Sequence, residues 1–494
     1  MTRPQPQVIV LGGGPAGAAA ARLLAGWGYA VTLLTRPPHH QPLVESLPPS
    51  TVKLLDRIGL REAVDRAGFL RATGNTAWWG PGEARVEYFE TGLTGFQVPR
   101  ARFDQLLLDQ AASAGATVHR HAIVRKVNPL PGTENFRQVE YDADGATQVL
   151  TTRWVLDCTG RAGLTARHGW RCAEPGLRTT ALVATWEQDN WPVPDISHTL
   201  VESYGDGWAW SVPESSTRRQ VAVMVDPSLA PLAGAAGLLA RYRTELGRTS
   251  RLQAILESAR LIGSPWARDA SPYSAATTGE PGLLLVGDAA SFTDPLSSFG
   301  VKKALASGWL AAVVTRTALD NPEMTAAALT FHHRRESAMA DALRRRAAEF
   351  SREATEVHPG EYWARRLADA DASTDAEPDT AALREDPDVA SAFQELKRRE
   401  QLAVRPAPGL RREQRPAIHD DRIVMEEQLI LPAFPAGIRW LRGVDLVQLV
   451  NLAPAAEGVP QLFEAITRPN MELPLPDFLG ALSVLLAKGA LEFA

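Results

Sequence analysis

Residues 8–36 read VIVLGGGPAGAAAARLLAGWGYAVTLLTR: an apolar run, a cluster of glycines and alanines, and a second apolar run. That order predicts a buried strand over 8–11, a turn Gly12-Gly13-Gly14-Pro15-Ala16-Gly17, a helix over 18–27 and a strand over 30–34. Gly12 permits the tight turn, Gly14 lets a phosphate approach bare backbone, and Gly17 with the following alanines lets the helix lie close on the sheet. Unpaired N–H groups and the helix dipole favour an anion at Pro15 and Ala16, so a dinucleotide is the expected ligand. The acidic residue expected at the end of the second strand is replaced by Thr35 and Arg36. Thr35 then becomes the candidate for the ribose hydroxyl, and Arg36 for the adenosine phosphate or the adenine face.

Composition narrows the function classes. With 494 residues the chain is expected to form two or three domains, and 22% charged residues with a net charge of -5 exclude a polyelectrolyte partner such as nucleic acid. Two cysteines, Cys158 and Cys172, suit neither a disulfide framework nor a zinc site, which points to a reducing cytoplasm. The first residues, MTRPQPQ, lead straight into a strand and carry no signal-peptide pattern, and no uncharged apolar run reaches membrane-spanning length, so no membrane association is expected. No metal is expected either: His119 and His121 would share one strand face, but a third ligand is missing.

Four further stretches specify the dinucleotide: VESLPPS (44–50), RARFDQLLLDQA (100–111), VLDCTGRAG (155–163) and LLLVGDAASFTDPLSSFGVKKALASG (283–308). In the last, an apolar strand ends in Gly287-Asp288, which puts a carboxylate at the ligand-binding edge of a parallel sheet. The helix opening at Gly300 and Val301 offers its N-terminal amides to negative charge. In this order the stretches resemble group A flavoprotein monooxygenases and the flavin-dependent tryptophan halogenases that share their scaffold, over about residues 8–345. The resemblance implies FAD, with Glu45, Ser46 and Arg100 beside its ribityl and diphosphate region. It further implies Asp288 on the ribityl chain, and Pro295, Ser297, Ser298, Phe299 and Gly300 as a turn along the isoalloxazine.

Between the DCTG and GDAA turns, alternating apolar patterns predict antiparallel strands that cover the flavin. Trp208 and Trp210, in GWAWSVP, fall on one strand face and line the expected substrate pocket. This stretch resembles the WxWxIP motif of the halogenases, with Val212 in place of Ile, and FTDPLSSFG echoes their flavin turn through Phe292, Pro295, Ser297 and Gly300. Two departures weigh against halogenation. Ser298-Phe299-Gly300 sets a bulky ring where the halide turn is small, and residues 68–89 contain no lysine where halogenases carry their active-site lysine. The resemblance then implies monooxygenation: reduced FAD and O2 form a C4a-hydroperoxide that hydroxylates an electron-rich ring, with electrons from NAD(P)H or a separate flavin reductase.

Residues 346–494 change composition and are expected to form a helical, winged-helix-like module, with a hinge near 369–378 and helices in VDLVQLVNLAP, GVPQLFEAIT and PLPDFLGALSVLLAKGALEFA. The helix start Ser297, Ser298, Gly300, Val301, Lys303, Ala304, Leu305 resembles the subgroup that hydroxylates a precursor tryptophan in tryptophylquinone biogenesis. The expected fold is α/β: a Rossmann-like FAD-binding domain (1–165 and 280–345, with substrate strands around 75–100), an inserted antiparallel sheet (166–279) and the C-terminal module. The favoured acceptor is an aromatic ring, specifically a tryptophan in a partner protein or peptide. Alternatives are a halogenase of an indole or phenol, an FAD-dependent reductase, and a non-catalytic flavoprotein that binds a partner.

Overall fold

The computed structural model describes residues 5–37, 43–133, 136–174, 176–229, 235–297, 299–367, 383, 385–399, 401–467 and 473–493. Its first layer is a six-stranded sheet in the order Gly279–Glu280, Leu283–Leu285, Trp154–Asp157, Val8–Leu11, Val31–Leu34, Thr117–His119. All neighbours are parallel except the first pair. Every residue of Val8–Leu11 and of Val31–Leu34 is buried, as continuous apolar runs require when helices cover both faces of a sheet. Helix Pro15–Gly26 begins with proline at its first position, where a missing N–H costs nothing. It crosses helix Gly300–Asp320 so closely that a β-carbon on Gly308 would overlap the Ala16 carbonyl.

The second layer is a seven-stranded sheet ordered Arg260–Asp269, Thr180–Glu187, Arg218–Val225, Gly207–Pro213, Thr199–Tyr204, Gly74–Trp78, Arg85–Tyr88. Neighbours are antiparallel except Thr199–Tyr204 with Gly74–Trp78. A smaller antiparallel sheet, Val44–Leu47, Gly95–Pro99 and Leu70–Ala72, also lies in this unit. The α/β class and the covering antiparallel sheet agree with expectation. His121 does not share a strand face with His119: the strand ends at His119 and His121 lies in the following turn. No group of three metal-ligating side chains occurs among the described residues.

The domain boundary moves. Residue 346 falls inside the 33-residue helix Thr325–Val357, and the first compact unit runs to Ser373. The cause is packing: Phe350, Ala354, Tyr362 and Trp363 join the aromatic core below the seven-stranded sheet. The second unit, Thr374–Ala494, carries the three expected helices as Leu446–Leu452, Val459–Ile466 and Leu475–Ala487. It also carries an antiparallel sheet, Arg411–His419, Arg422–Leu431 and Phe434–Ile438, in a module expected to be helical. The hinge expected near 369–378 lies outside the described residues. Among the described residues no helix is long and apolar enough to cross a membrane.

Candidate flavin and substrate site

The glycine turn folds as its composition demands. Gly12 adopts φ +101°, and a side chain there would run into the Cys158 carbonyl of the neighbouring strand. A β-carbon on Gly17 would collide with the Gly12 carbonyl, whereas Gly14 has only the Arg100 guanidinium near it, at 3.8 Å. Helix Pro15–Gly26 has no side-chain N-cap and no acidic residue in its first turn. Its first amides are therefore left for an anion. Below the turn, buried Asp157 accepts bonds from Thr159 N (3.0 Å) and Thr165 N (2.8 Å), which fixes the DCTG loop that underlies Gly12.

Register explains how Glu45 meets Arg100. Strand Val44–Leu47 pairs with Gly95–Pro99 so that Val44 faces Pro99, which sets Glu45 next to the start of helix Arg100–Ser113. Arg100 donates to Glu45 Oε1 at 2.9 Å and grips Asp104 with two bonds, of 2.8 and 2.9 Å. Burial opposes the Arg100 charge, yet Asp104 and Glu45 outweigh it and hold its pKa above the ordinary guanidinium value. Burial raises Glu45, Arg100 pulls it back, and nearby Asp288 and Asp104 raise it further. Ser46 follows on the same strand opposite Gln97. Thr35 closes the second strand with its hydroxyl against Gly13, while Arg36 beside it is exposed.

Asp288 sits in the short turn Gly287–Ala289 after strand Leu283–Leu285, with its carboxylate partly exposed. That turn is held from all sides. Gly287 N–H donates to Ser307 Oγ at 2.6 Å, Tyr273 donates to the Asp288 carbonyl at 2.6 Å, and buried Lys303 reaches the Gly287 and Ser291 carbonyls. The turn expected along the flavin follows as Pro295–Ser297, braced by Asp294, which accepts from Leu296 N at 3.1 Å and pairs with Arg366 at 3.5 Å. Burial raises the Asp294 pKa and Arg366 draws it down again. Helix Gly300–Asp320 opens with Val301 buried, no side-chain cap and no acidic residue in its first turn, and Gly300 lies 3.9 Å from Glu45 when a β-carbon is placed on it. Gly14, Arg100, Glu45 and Gly300 thus lie in one series of contacts, with Asp288 near enough to act on the Glu45 charge. Ser298 lies outside the described residues.

Over the flavin turn stands an aromatic wall. Trp208 is buried and Trp210 half-buried, and both pack with Phe292, Leu296 and Trp79. Trp79 meets Trp208, Phe350 and Trp363 edge-on at centroid separations of 6.3, 6.0 and 5.4 Å. Trp79 Nε1 donates to the Phe350 carbonyl (2.8 Å) and Trp363 Nε1 to the Tyr204 carbonyl (2.9 Å). Phe350, Tyr362 and Trp363 are not expected in this cluster from the sequence, because nothing local marks a ring that joins it only through the packing of two helices.

The uncapped glycine turn fits an FAD molecule: the Gly14 and Ala16 N–H groups and Arg100 would meet its diphosphate and Asp288 its ribityl chain. The sequence model of an FAD binding domain matches residues 5–345. The chain belongs to this FAD binding domain family. Among curated relatives of this flavoprotein, the tryptophan 2-halogenase of Chondromyces crocatus is 31% identical over 347 residues, covering 66% of this chain and 64% of the relative. A flavin-dependent halogenase of Armillaria mellea is 28% identical over 333 residues, covering 62% and 64%. The chain therefore spans just under two thirds of the length of these relatives. Among solved structures, the flavin-dependent halogenase CmlS superposes with a TM-score of 0.75 at 21% identity over 99% of this chain and 96% of CmlS, an agreement in fold. The peptidyl tryptophan dihydroxylase QhpG superposes with a TM-score of 0.70 at 26% identity over 98% and 99%.

Proposed function

We propose that this flavoprotein is an FAD-dependent monooxygenase that hydroxylates an aromatic ring, with a tryptophan side chain in a peptide or partner protein as its acceptor. The observation that carries this is the aromatic cluster of Trp79, Trp208, Trp363 and Phe350, which packs with Leu296 of the turn and has the half-buried rings of Trp210 and Phe292 against it, in a region with no lysine at residues 68–89. Bound FAD, reduced by NAD(P)H or by a separate reductase, would supply the electrons that activate O2. The chain's own residues then have two tasks. The half-buried rings of Trp210 and Phe292, backed by the buried indoles of Trp79, Trp208 and Trp363, exclude water and hold an acceptor ring by edge and face contacts. The uncapped start of helix Gly300–Asp320 favours negative charge on the flavin's pyrimidine side. The likeness to QhpG, whose name gives a peptidyl tryptophan as the group it acts on, supports the acceptor class.

Halogenation is the second reading, favoured by the 31% identity to a tryptophan 2-halogenase. It must proceed here without a lysine anywhere in residues 68–89 or in the seven-stranded sheet. Product mass separates the two. With reduced FAD, O2 and a tryptophan peptide, a gain of oxygen that ignores added chloride or bromide supports hydroxylation, and halide incorporation overturns it. Turnover of a substrate without O2 would instead identify a reductase.

A further inference from the structure

Phe299, the residue before the flavin-side helix, lies between two cations from different helices. Lys302 Nζ is 5.0 Å and Arg346 Cζ 5.3 Å from its ring centre, and Arg346 also covers Phe350 at 5.5 Å, the ring that touches Trp79. Several neighbouring guanidiniums are answered by a carboxylate: Arg100 by Glu45 and Asp104, Arg85 by Glu353, Arg344 by Glu174, Arg366 by Asp294. Lys302 instead reaches the Ser50 hydroxyl at 2.8 Å, and among the described residues neither it nor Arg346 forms an ion pair. Two cations without a carboxylate against them therefore share one half-buried ring. Burial and the repulsion from Arg346 both lower the Lys302 pKa, so the pairing works against its own charge.

We infer that Lys302 and Arg346 form the anionic subsite of the acceptor pocket, and that the preferred substrate is a tryptophan-bearing peptide with carboxylates beside the tryptophan. Phe299 and Phe350 fix the two cations by cation–π contact at the rim, and an incoming Asp or Glu supplies the missing counter-charge. The inference rests on the peptide-acceptor function proposed above. Lys302 stands in the first turn of the helix proposed to lie against the flavin, so Arg346, on helix Thr325–Val357, is the residue whose substitution tests the subsite apart from the cofactor.

The test uses the FAD-loaded enzyme and two peptides, one with Asp and Glu flanking a single tryptophan and one with Asn and Gln in their place. Binding is read from the change in flavin absorbance, independently of turnover. The wild type should bind the acidic peptide about fivefold to tenfold more tightly, a preference that fades with added salt. Arg346→Gln should reduce the preference to below about twofold, and Arg346→Lys should restore most of it. Equal binding of both peptides, no binding of either, or an undiminished preference in Arg346→Gln overturns the inference. So does loss of the preference in millimolar chloride at constant ionic strength, which would make the subsite a halide site. A preserved binding preference without oxygenated product would overturn the proposed reaction and leave the anionic subsite standing.

Discussion

The flavin cradle and the aromatic wall meet at Pro295–Ser297, yet they are built on opposite plans. The cradle is backbone: glycines at 12, 14 and 17, the free amides of two helix starts, and only Glu45, Arg100 and Asp288 as side chains. The wall is almost wholly side chain, with rings contributed by residues 79, 208, 210, 350 and 363. A cofactor common to a whole family is held by geometry that few substitutions can imitate. Under the proposed function the acceptor would meet rings that can be exchanged one by one, and there specificity can drift while the chemistry stays fixed.

That contrast can be broken most sharply at Gly17. Gly17→Ala sets a β-carbon against the Gly12 carbonyl, and purified protein should lose nearly all bound FAD, read from the flavin absorbance per mole of protein; a normal flavin content would mean that the turn can yield. On the wall, Trp363→Ala removes a fully buried ring and its bond to the Tyr204 carbonyl. Urea unfolding should show a loss of about 3–5 kcal/mol while the fold and a measurable flavin content persist.

Acid should act on the flavin-sheet side. His332 is fully buried against Thr278 of that unit, and burial, helped by His333, lowers its pKa from 6.5 to about 3. The unfolded chain therefore binds the proton first. Stability from this group is complete above about pH 6.5 and is lost progressively as pH falls from there toward 3, which denaturant titrations across that window measure. A His332→Gln variant should flatten the slope. The smallest effect belongs to Arg100→Lys, which keeps the charge but cannot hold Asp104 with two bonds and Glu45 with a third. FAD should bind about tenfold more weakly, by fluorescence titration of the apoprotein.

Legibility in the sequence divides along the same line. Gly12, Gly14, Gly17, Glu45, Arg100 and Asp288 stand in short local patterns, and the structure brings them together, because a strand-turn-helix motif dictates its own geometry. Trp208 and Trp210 were visible through period-two spacing in Gly207–Pro213. Phe350 and Trp363 were not, since their stretch shows only a charged helix and their destination depends on how helices Thr325–Val357 and Glu361–Leu367 fold back on the sheet. The strand Arg411–His419 escaped notice for another reason. Most of its residues are partly or fully exposed, so no alternation of apolar and polar side chains announces it.

The edge-on contacts of Trp79 with Trp208 and Trp363 carry a practical corollary. Indoles spaced this closely share excitation, and a yellow isoalloxazine seated near them would drain it. Intrinsic ultraviolet emission thus becomes a label-free gauge of cofactor loading, dim in the holoprotein and bright once the flavin is stripped.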